Sequence, residues 1–335
     1  MTRRDLRREA ASFQRLAVSP RLTRRDVLKI GSLAFLPRLV IPLSILPAPR
    51  RSLKFAVITD LHHGLAPDAM SRAQAFIQAV NARSDLSFVI QGGDFCYSDA
   101  GSQELLDAYK AIKLPTIHVL GNHDMDKVTK EVAVATIGMK VRYRTHDYGD
   151  YRFVVLDLNH FKKNGELVSY ANGNYFTDNA THNWADPEQL IWLEKTLTNS
   201  KKPVVLVSHQ PLGFAELGQP HPPEQQEILD IVDRCGRLNP RGAVALSMFG
   251  HLHVDRLEHV SGVPYLCVNS ASYFWSSGMW AYSKPLFAFM ELTTDGRLVV
   301  EGVAGEFVKA PPKASDGVVG RSASISGRDL GLGSK

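Results

Sequence analysis

The 335-residue chain has three cysteines, Cys96, Cys235 and Cys267, and no C-x-x-C pair. Three thiols cannot all pair within one chain, so no disulfide framework is expected. A long unbroken apolar run is also missing. The nearest approach, residues 30–46, is cut by Arg38, Pro37 and Pro42 and closed by Pro47 and Pro49, too broken for a membrane span. Nor is there a basic excess beyond the N-terminus. The formal charge of +5 invites an acidic partner, yet residues 1–49 hold ten of the 39 basic and three of the 34 acidic side chains. The remainder carries 29 basic against 31 acidic groups, a net of −2, so a general nucleic-acid footprint is not supported. No internal repeat is apparent.

What is present begins with that leader. Thr23-Arg24-Arg25-Asp26-Val27-Leu28-Lys29 precedes the apolar stretch, an order that resembles a twin-arginine export signal and implies an exported, periplasmic or otherwise extracytoplasmic protein. An A-x-A cleavage site is missing, which leaves processing open. Residues 1–50 are therefore read as a basic leader, 51–309 as one catalytic domain and 310–335, rich in Gly, Ser and Pro, as a disordered tail. With 44% hydrophobic residues the chain can bury a sizeable core. No transmembrane span is expected beyond the leader.

Apolar, β-branched runs predict strands over 53–59, 87–91 and 116–120, alternating with helices near 68–83 and 102–113. These are successive βα units with parallel crossovers. From 141 to 158 the pattern turns to alternating strands around Tyr148-Gly149-Asp150, which moves the sheet to a second layer. Residues 161–184 read as a long polar loop containing Asn164-Gly165 and Asn172-Gly173. Asp186-Pro187 starts a helix to about Thr198, with Asp186 as N-cap. A helix is expected over 223–237, strands over 204–207, 245–249 and 265–268, and a hairpin joining 286–292 to 298–303.

Five short blocks end apolar runs in one order: Asp60-Leu61-His62, Gly92-Gly93-Asp94, Gly121-Asn122-His123-Asp124, Ser208-His209 and Gly250-His251-Leu252-His253. Largely parallel strands delivering such side chains from their C-terminal ends build one crevice, where α/β sheets carry their sites. Asp and Asn supply hard oxygen donors and imidazole supplies nitrogen, a mixture suited to Fe, Mn or Zn. The blocks hold more such donors than one ion needs.

In their order and placement these blocks resemble the calcineurin-like metallophosphoesterase superfamily over residues 55–253. The resemblance implies a four-layer α/β/β/α fold, a β-sandwich flanked by helices, and two divalent or mixed-valence metal ions. It places Asp60, His62 and His253 on one ion, Asn122, His209 and His251 on the other, and Asp94 as the bridge. It further implies that metal-bound hydroxide attacks a phosphomonoester or phosphodiester, with His123 facing the phosphate and Asp124 supporting that imidazole.

The subfamily is less defined. Asp94 is followed by Phe95-Cys96-Tyr97-Ser98, not the Asp-Arg-Gly segment of protein Ser/Thr phosphatases. Tyr97 stands where purple acid phosphatases place a ligand, but His62 is counted as the ligand here. The aromatic segment 273–282 could stack a nucleobase, favouring a diester or nucleotide, although a packed loop is the plainer reading. His63, Asn172, Asn174 and His182 are candidate contacts to a small phosphoester. A same-superfamily nuclease and a non-catalytic metal-binding protein are the alternatives; the near-neutral charge disfavours the first and the complete ligand set the second.

Overall fold

In a computed structural model, which describes residues 52–215, 219–273, 280–311 and 322–332, the parallel strands form two sheets. The first has at its centre β1 (Leu53–Ile58), β2 (Phe88–Gln91) and β3 (Thr116–His118), paired in parallel. The second contains β4 (Arg144–Tyr148), β5 (Tyr151–Val155), β9 (Val204–Val207), β10 (Val244–Phe249), β11 (Arg256–Val260) and β12 (Val263–Cys267) in the order β11-β12-β10-β9-β5-β4. The five donor-bearing strands are thus split, β1, β2 and β3 in one sheet and β9 and β10 in the other.

Alternation decides which side chains fill the gap between the sheets. Phe55, Val57, Phe88 and Ile90 meet Phe153, Val155, Val205, Val207, Leu246 and Met248 in one buried core. Phe55 stacks on Phe88 at 5.0 Å, and Phe153 meets both rings edge-on across the sandwich. The opposite faces are covered by helices. Ala56, Ile58 and Val89 pack under α1 (Ala69–Asn81), α2 (Gln103–Tyr109) and α3 (Lys130–Thr136). Val154, Leu156, Val204 and Leu206 pack under α4 (Pro187–Asn199) and α5 (Pro223–Leu238). This is the expected four-layer arrangement. Strands buried on both faces cannot alternate with polar residues, which is why they read as continuous apolar runs. Asp186 caps α4 by accepting from the Gln189 amide at 3.0 Å, with Pro187 in the first turn.

Three expectations change. The 161–184 segment is not an unstructured loop: β6 (His160–Lys163), β7 (Glu166–Ser169) and β8 (Thr181–His182) form a small antiparallel sheet in the order β7-β6-β8. Asn164 and Gly165 both take positive φ in its hairpin, the geometry Asn-Gly favours. Its strands are polar, so periodicity could not reveal them. The 310–335 segment is not simply a tail either. β15 (Arg328–Gly331) extends the first sheet, order β15-β14-β13-β1-β2-β3, beside β14 (Arg297–Glu301) and β13 (Ala288–Leu292). Ala323 and Ile325 are buried, and Arg328 pairs with Asp255 at 2.7 Å. Backbone pairing asks little of composition, so Gly and Ser there misled. Third, β11 pairs antiparallel with β12, a hairpin the sequence pattern did not show.

The leader, residues 1–50, lies outside the described residues. Of the aromatic segment, 274–279 also lie outside, but Tyr273 is buried and donates to Asp68 at 2.6 Å while Arg72 covers its ring. That part is packed loop. All three cysteines are buried and free, and burial raises the Cys96 thiol to about 11. No helix among the described residues is long and apolar enough to cross a membrane.

Candidate metal centre

The strand ends are bent where they deliver donors. Asp60 and His62 after β1, Asp94 after β2, and His251 and His253 after β10 all have φ between 49° and 64°. A left-handed residue with a Cβ costs on the order of 1–3 kcal/mol and persists only when its surroundings hold it. Five of the seven proposed ligands adopt it. The first three are held by backbone bonds that continue the β1–β2 ladder into the loops, Asp60 N–H to Gly93 O and His62 N–H to Asp94 O at 3.0 and 2.9 Å. Gly93, at φ +101°, sits so close to the His209 ring that any Cβ would overlap it. A Cβ on Gly121 would likewise overlap Asp94. These glycines therefore permit close approach as well as a turn.

The donors converge. Asp60, His62 and His253 form one group whose ligand atoms lie within 4.8 Å of one another, and Asp94, His209 and His251 form another. His253 Nε2 is 3.2 Å from Asp60 Oδ1, and His209 Nε2 is 3.1 Å from Asp94 Oδ2. Asp94 Oδ2 is also 3.8 Å from His62 Nε2, so it faces both groups. All seven proposed ligands except His251 are buried.

Three observations fit cations. His209 donates Nδ1–H to Gly92 O at 2.9 Å, which turns its Nε2 toward Asp94 and the crevice. That Nε2 has the Asp94 carboxylate beside it, whereas Asn122 Oδ1 is buried without a hydrogen-bond partner, a state that costs free energy unless something else engages it. The Nε2 atoms of His62 and His253 face each other at 3.0 Å, an approach at most one proton can bridge. Burial would raise the Asp60 carboxyl, but the His253 and His209 imidazoles outweigh it and hold it at about 2. Desolvation drives His62 and His251 down to about 3 and 4, toward the neutral form that coordinates.

His123 stands at the edge of this cluster, with a ring nitrogen within 4.8 Å of His62 and Asp94 donor atoms. Its backbone N–H donates to Asp94 Oδ1 at 2.8 Å. The imidazole is braced by an unexpected residue. His123 Nδ1 lies 2.8 Å from Asp126 Oδ2 and 2.8 Å from the Tyr175 hydroxyl, and Tyr175 donates to the other Asp126 oxygen. Burial would lower the His123 pKa, but Asp94 and Asp126 outweigh it and raise it.

Asp124 does something else. It accepts from the amides of Phe95 and Cys96 on one oxygen and of Gly121 on the other, at 2.7, 3.0 and 2.8 Å. It ties the Asp94 loop to the Asn122 loop. The expectation that Asp124 supports the His123 ring is corrected: a backbone in a one-turn 3₁₀ helix over His123–Met125 brings residue i+3, not i+1, beside the imidazole.

The model of the calcineurin-like phosphoesterase family matches residues 53–255, more than half of the chain. The chain belongs to the calcineurin-like phosphoesterase family. None of the curated proteins matches it. Among solved structures, a dimetal phosphatase from Danio rerio is 15% identical with a TM-score of 0.55, covering 84% of this chain and 99% of that one. GAP50, the anchor in the inner membrane complex of Plasmodium, is 16% identical at 0.53, covering 84% and 90%. PhoD is 13% identical at 0.50, covering 80% and 68%. At these identities the likeness is one of fold.

In this family member the sequence reading missed three groups. Asp126 carried a signal, its helical spacing from His123. Tyr175 did not, being 52 residues away. The Asn269–Ser272 stretch was also missed: Ser270 and Ser272 hydroxyls donate to the Asp60 and Leu61 carbonyls at 2.9 and 2.6 Å, steadying the first donor loop. Of the candidate contacts, His63 pairs with Phe95 through its backbone N–H, and Asn174 and His182 brace the insertion. Asn174 closes a turn through Ala171 N–H and Ser169 O, and His182 Nε2 lies 2.7 Å from Tyr175 O. The Tyr97 ring lies beneath the Lys127 ammonium at 3.9 Å.

Proposed function

We propose that this protein is a metal-dependent hydrolase of small phosphoesters with a dinuclear site. The observation that carries the reading is the convergence of six carboxylate and imidazole donors from two sheets, Asp60, His62, Asp94, His209, His251 and His253, together with an Asn122 Oδ1 that is buried and unsatisfied. Asp60, His62 and His253 would hold one ion, Asn122, His209 and His251 the other, and Asp94 would face both. Their mixture of donors suits iron, manganese or zinc. Bound there, two ions supply Lewis acidity toward phosphoryl oxygens and lower the pKa of water toward neutrality.

The protein's own residues supply orientation and a proton. With Nδ1 engaged by Asp126, the His123 ring presents Nε2, which donates to a phosphate oxygen and then to the departing ester oxygen. Asp126 favours the imidazolium that makes both donations, and Tyr175 keeps Asp126 in place. Asp124 holds the two loops at the spacing this requires.

Fold alone does not decide between enzyme and anchor, since GAP50 shares it. The intact donor set and the braced His123 favour catalysis. Protein loaded with manganese, iron or zinc should bind about two ions per chain and hydrolyse 4-nitrophenyl phosphate or its bis-aryl diester. Chelation should stop turnover and readdition restore it. Absence of bound metal and of turnover on both esters would overturn the reading; the ratio of the two rates assigns monoester or diester. The leader adds the proposal that the enzyme acts outside the cytoplasm, which a reporter fused to residues 1–49 and retained in the cytosol of a twin-arginine-competent host would refute.

A further inference from the structure

The insertion does more than brace His123. Its backbone is pinned to the turn that carries that residue, Gly173 N–H to Met125 O at 3.0 Å and Asn172 N–H to Val128 O at 2.9 Å. Tyr175 follows with its ring buried. Phe176 is turned the other way and is 74% exposed. Its ring lies 6.1 Å from the His123 ring and 4.2 Å from that of Tyr175. The Thr177 hydroxyl, bonded to Asn174 O at 2.6 Å, and Phe176 N–H, donating to Gly173 O, hold the residue in place on both sides.

A phenylalanine left this open forgoes most of the stabilisation that burial would give it. Single exposed apolar side chains are ordinary on a protein surface; what distinguishes this one is its neighbour. His123 is the group assigned above to the departing oxygen, and the exposed Phe176 ring, 6.1 Å from that imidazole, is within the span of an aromatic leaving group. Lys127, next in sequence to Asp126, is engaged by Asp99 at 3.3 Å and by the Tyr97 ring. A flat apolar leaving group would cover an exposed ring and stack or meet it edge-on, a contact that a small hydroxylated one cannot make.

We infer that Phe176 is a specificity residue, an aromatic platform for the leaving group, and that the preferred substrates are phosphoesters whose ester oxygen is attached directly to an aromatic ring. The inference rests on the proposed role of His123. Its test does not depend on turnover. Metal-loaded protein should bind phenylphosphonate about 5-fold more tightly than methylphosphonate by calorimetry, within the range that one aromatic contact supplies. Phe176→Ala should erase that difference and Phe176→Trp should keep it. Ile191→Ala, at another exposed apolar residue on α4 (71% exposed), should leave it unchanged. In turnover, Phe176→Ala should raise KM for phenyl phosphate by a similar factor with kcat and metal content little altered, whereas a merely structural role would change metal content or thermal midpoint.

A preference for phenylphosphonate that survives Phe176→Ala overturns the platform, as does equal binding of the two phosphonates by the unaltered protein. Binding that follows the platform pattern in a protein that hydrolyses neither ester would instead overturn the hydrolase reading and leave the platform standing.

Discussion

The two sheets contribute unlike chemistry to one crevice. The first delivers every oxygen donor, Asp60, Asp94 and Asn122, together with His62; the second delivers His209, His251 and His253 and no oxygen. Carboxylates buried on one sheet alone would carry an uncompensated desolvation cost. Imidazoles from the other sheet meet them across the gap. The mouths of the sheets are also stitched together through the backbone: His251 N–H donates to Asp60 Oδ1 at 3.0 Å, His209 to Gly92 O and Ala271 N–H to Thr59 O. The sandwich core and the site therefore depend on the same registry, and the strained donor loops are held by contacts within the protein itself.

The sharpest way to break this pairing is Asp94, the carboxylate facing both donor groups. Asp94→Ala should reduce turnover on the order of 10⁴-fold, as expected of groups that act as a unit, and metal analysis should show fewer ions per chain. A smaller effect separates the two neighbouring carboxylates. Asp126→Ala should lower kcat roughly 10- to 100-fold with metal content kept, and Tyr175→Phe should move in the same direction by less. Asp124→Ala, which strips three buried amides of their acceptor, should instead cost about 3 kcal/mol or more of stability, read by denaturant unfolding. Equal kinetic and stability profiles for the two variants would mean that the division of labour drawn here is wrong. The mildest test concerns the second sheet's outer support. Arg328→Ala removes one partner of Asp255, two residues beyond His253, whose other oxygen keeps the Ser326 amide, and should cost about 1–3 kcal/mol, additive with variants at the distant helix faces.

Much of this was legible locally. Each apolar run ended at a residue whose chemistry stood out, so the strand ends, the donor identities and the Asp186 cap could be read from short windows. The layered fold followed from the family resemblance that those blocks carried. What stayed hidden was of two kinds. Polar strands such as β6 and β7, and the Ser- and Gly-rich approach to β15, form because a neighbouring edge offers hydrogen bonds, and that neighbour is distant in sequence. Asp124 and Asp126 look alike on paper; only the 3₁₀ turn after Asn122 sends one to the backbone and the other to His123.

By itself, then, the sequence determined which atoms could bind a metal and that they would sit at strand ends, because side-chain chemistry and the two-residue period of a strand are local properties. The tertiary structure decided which sheet each strand joined and that Tyr175 and Phe176 would flank His123. Those outcomes depend on pairing energies between segments tens to hundreds of residues apart, which no single window of the chain contains.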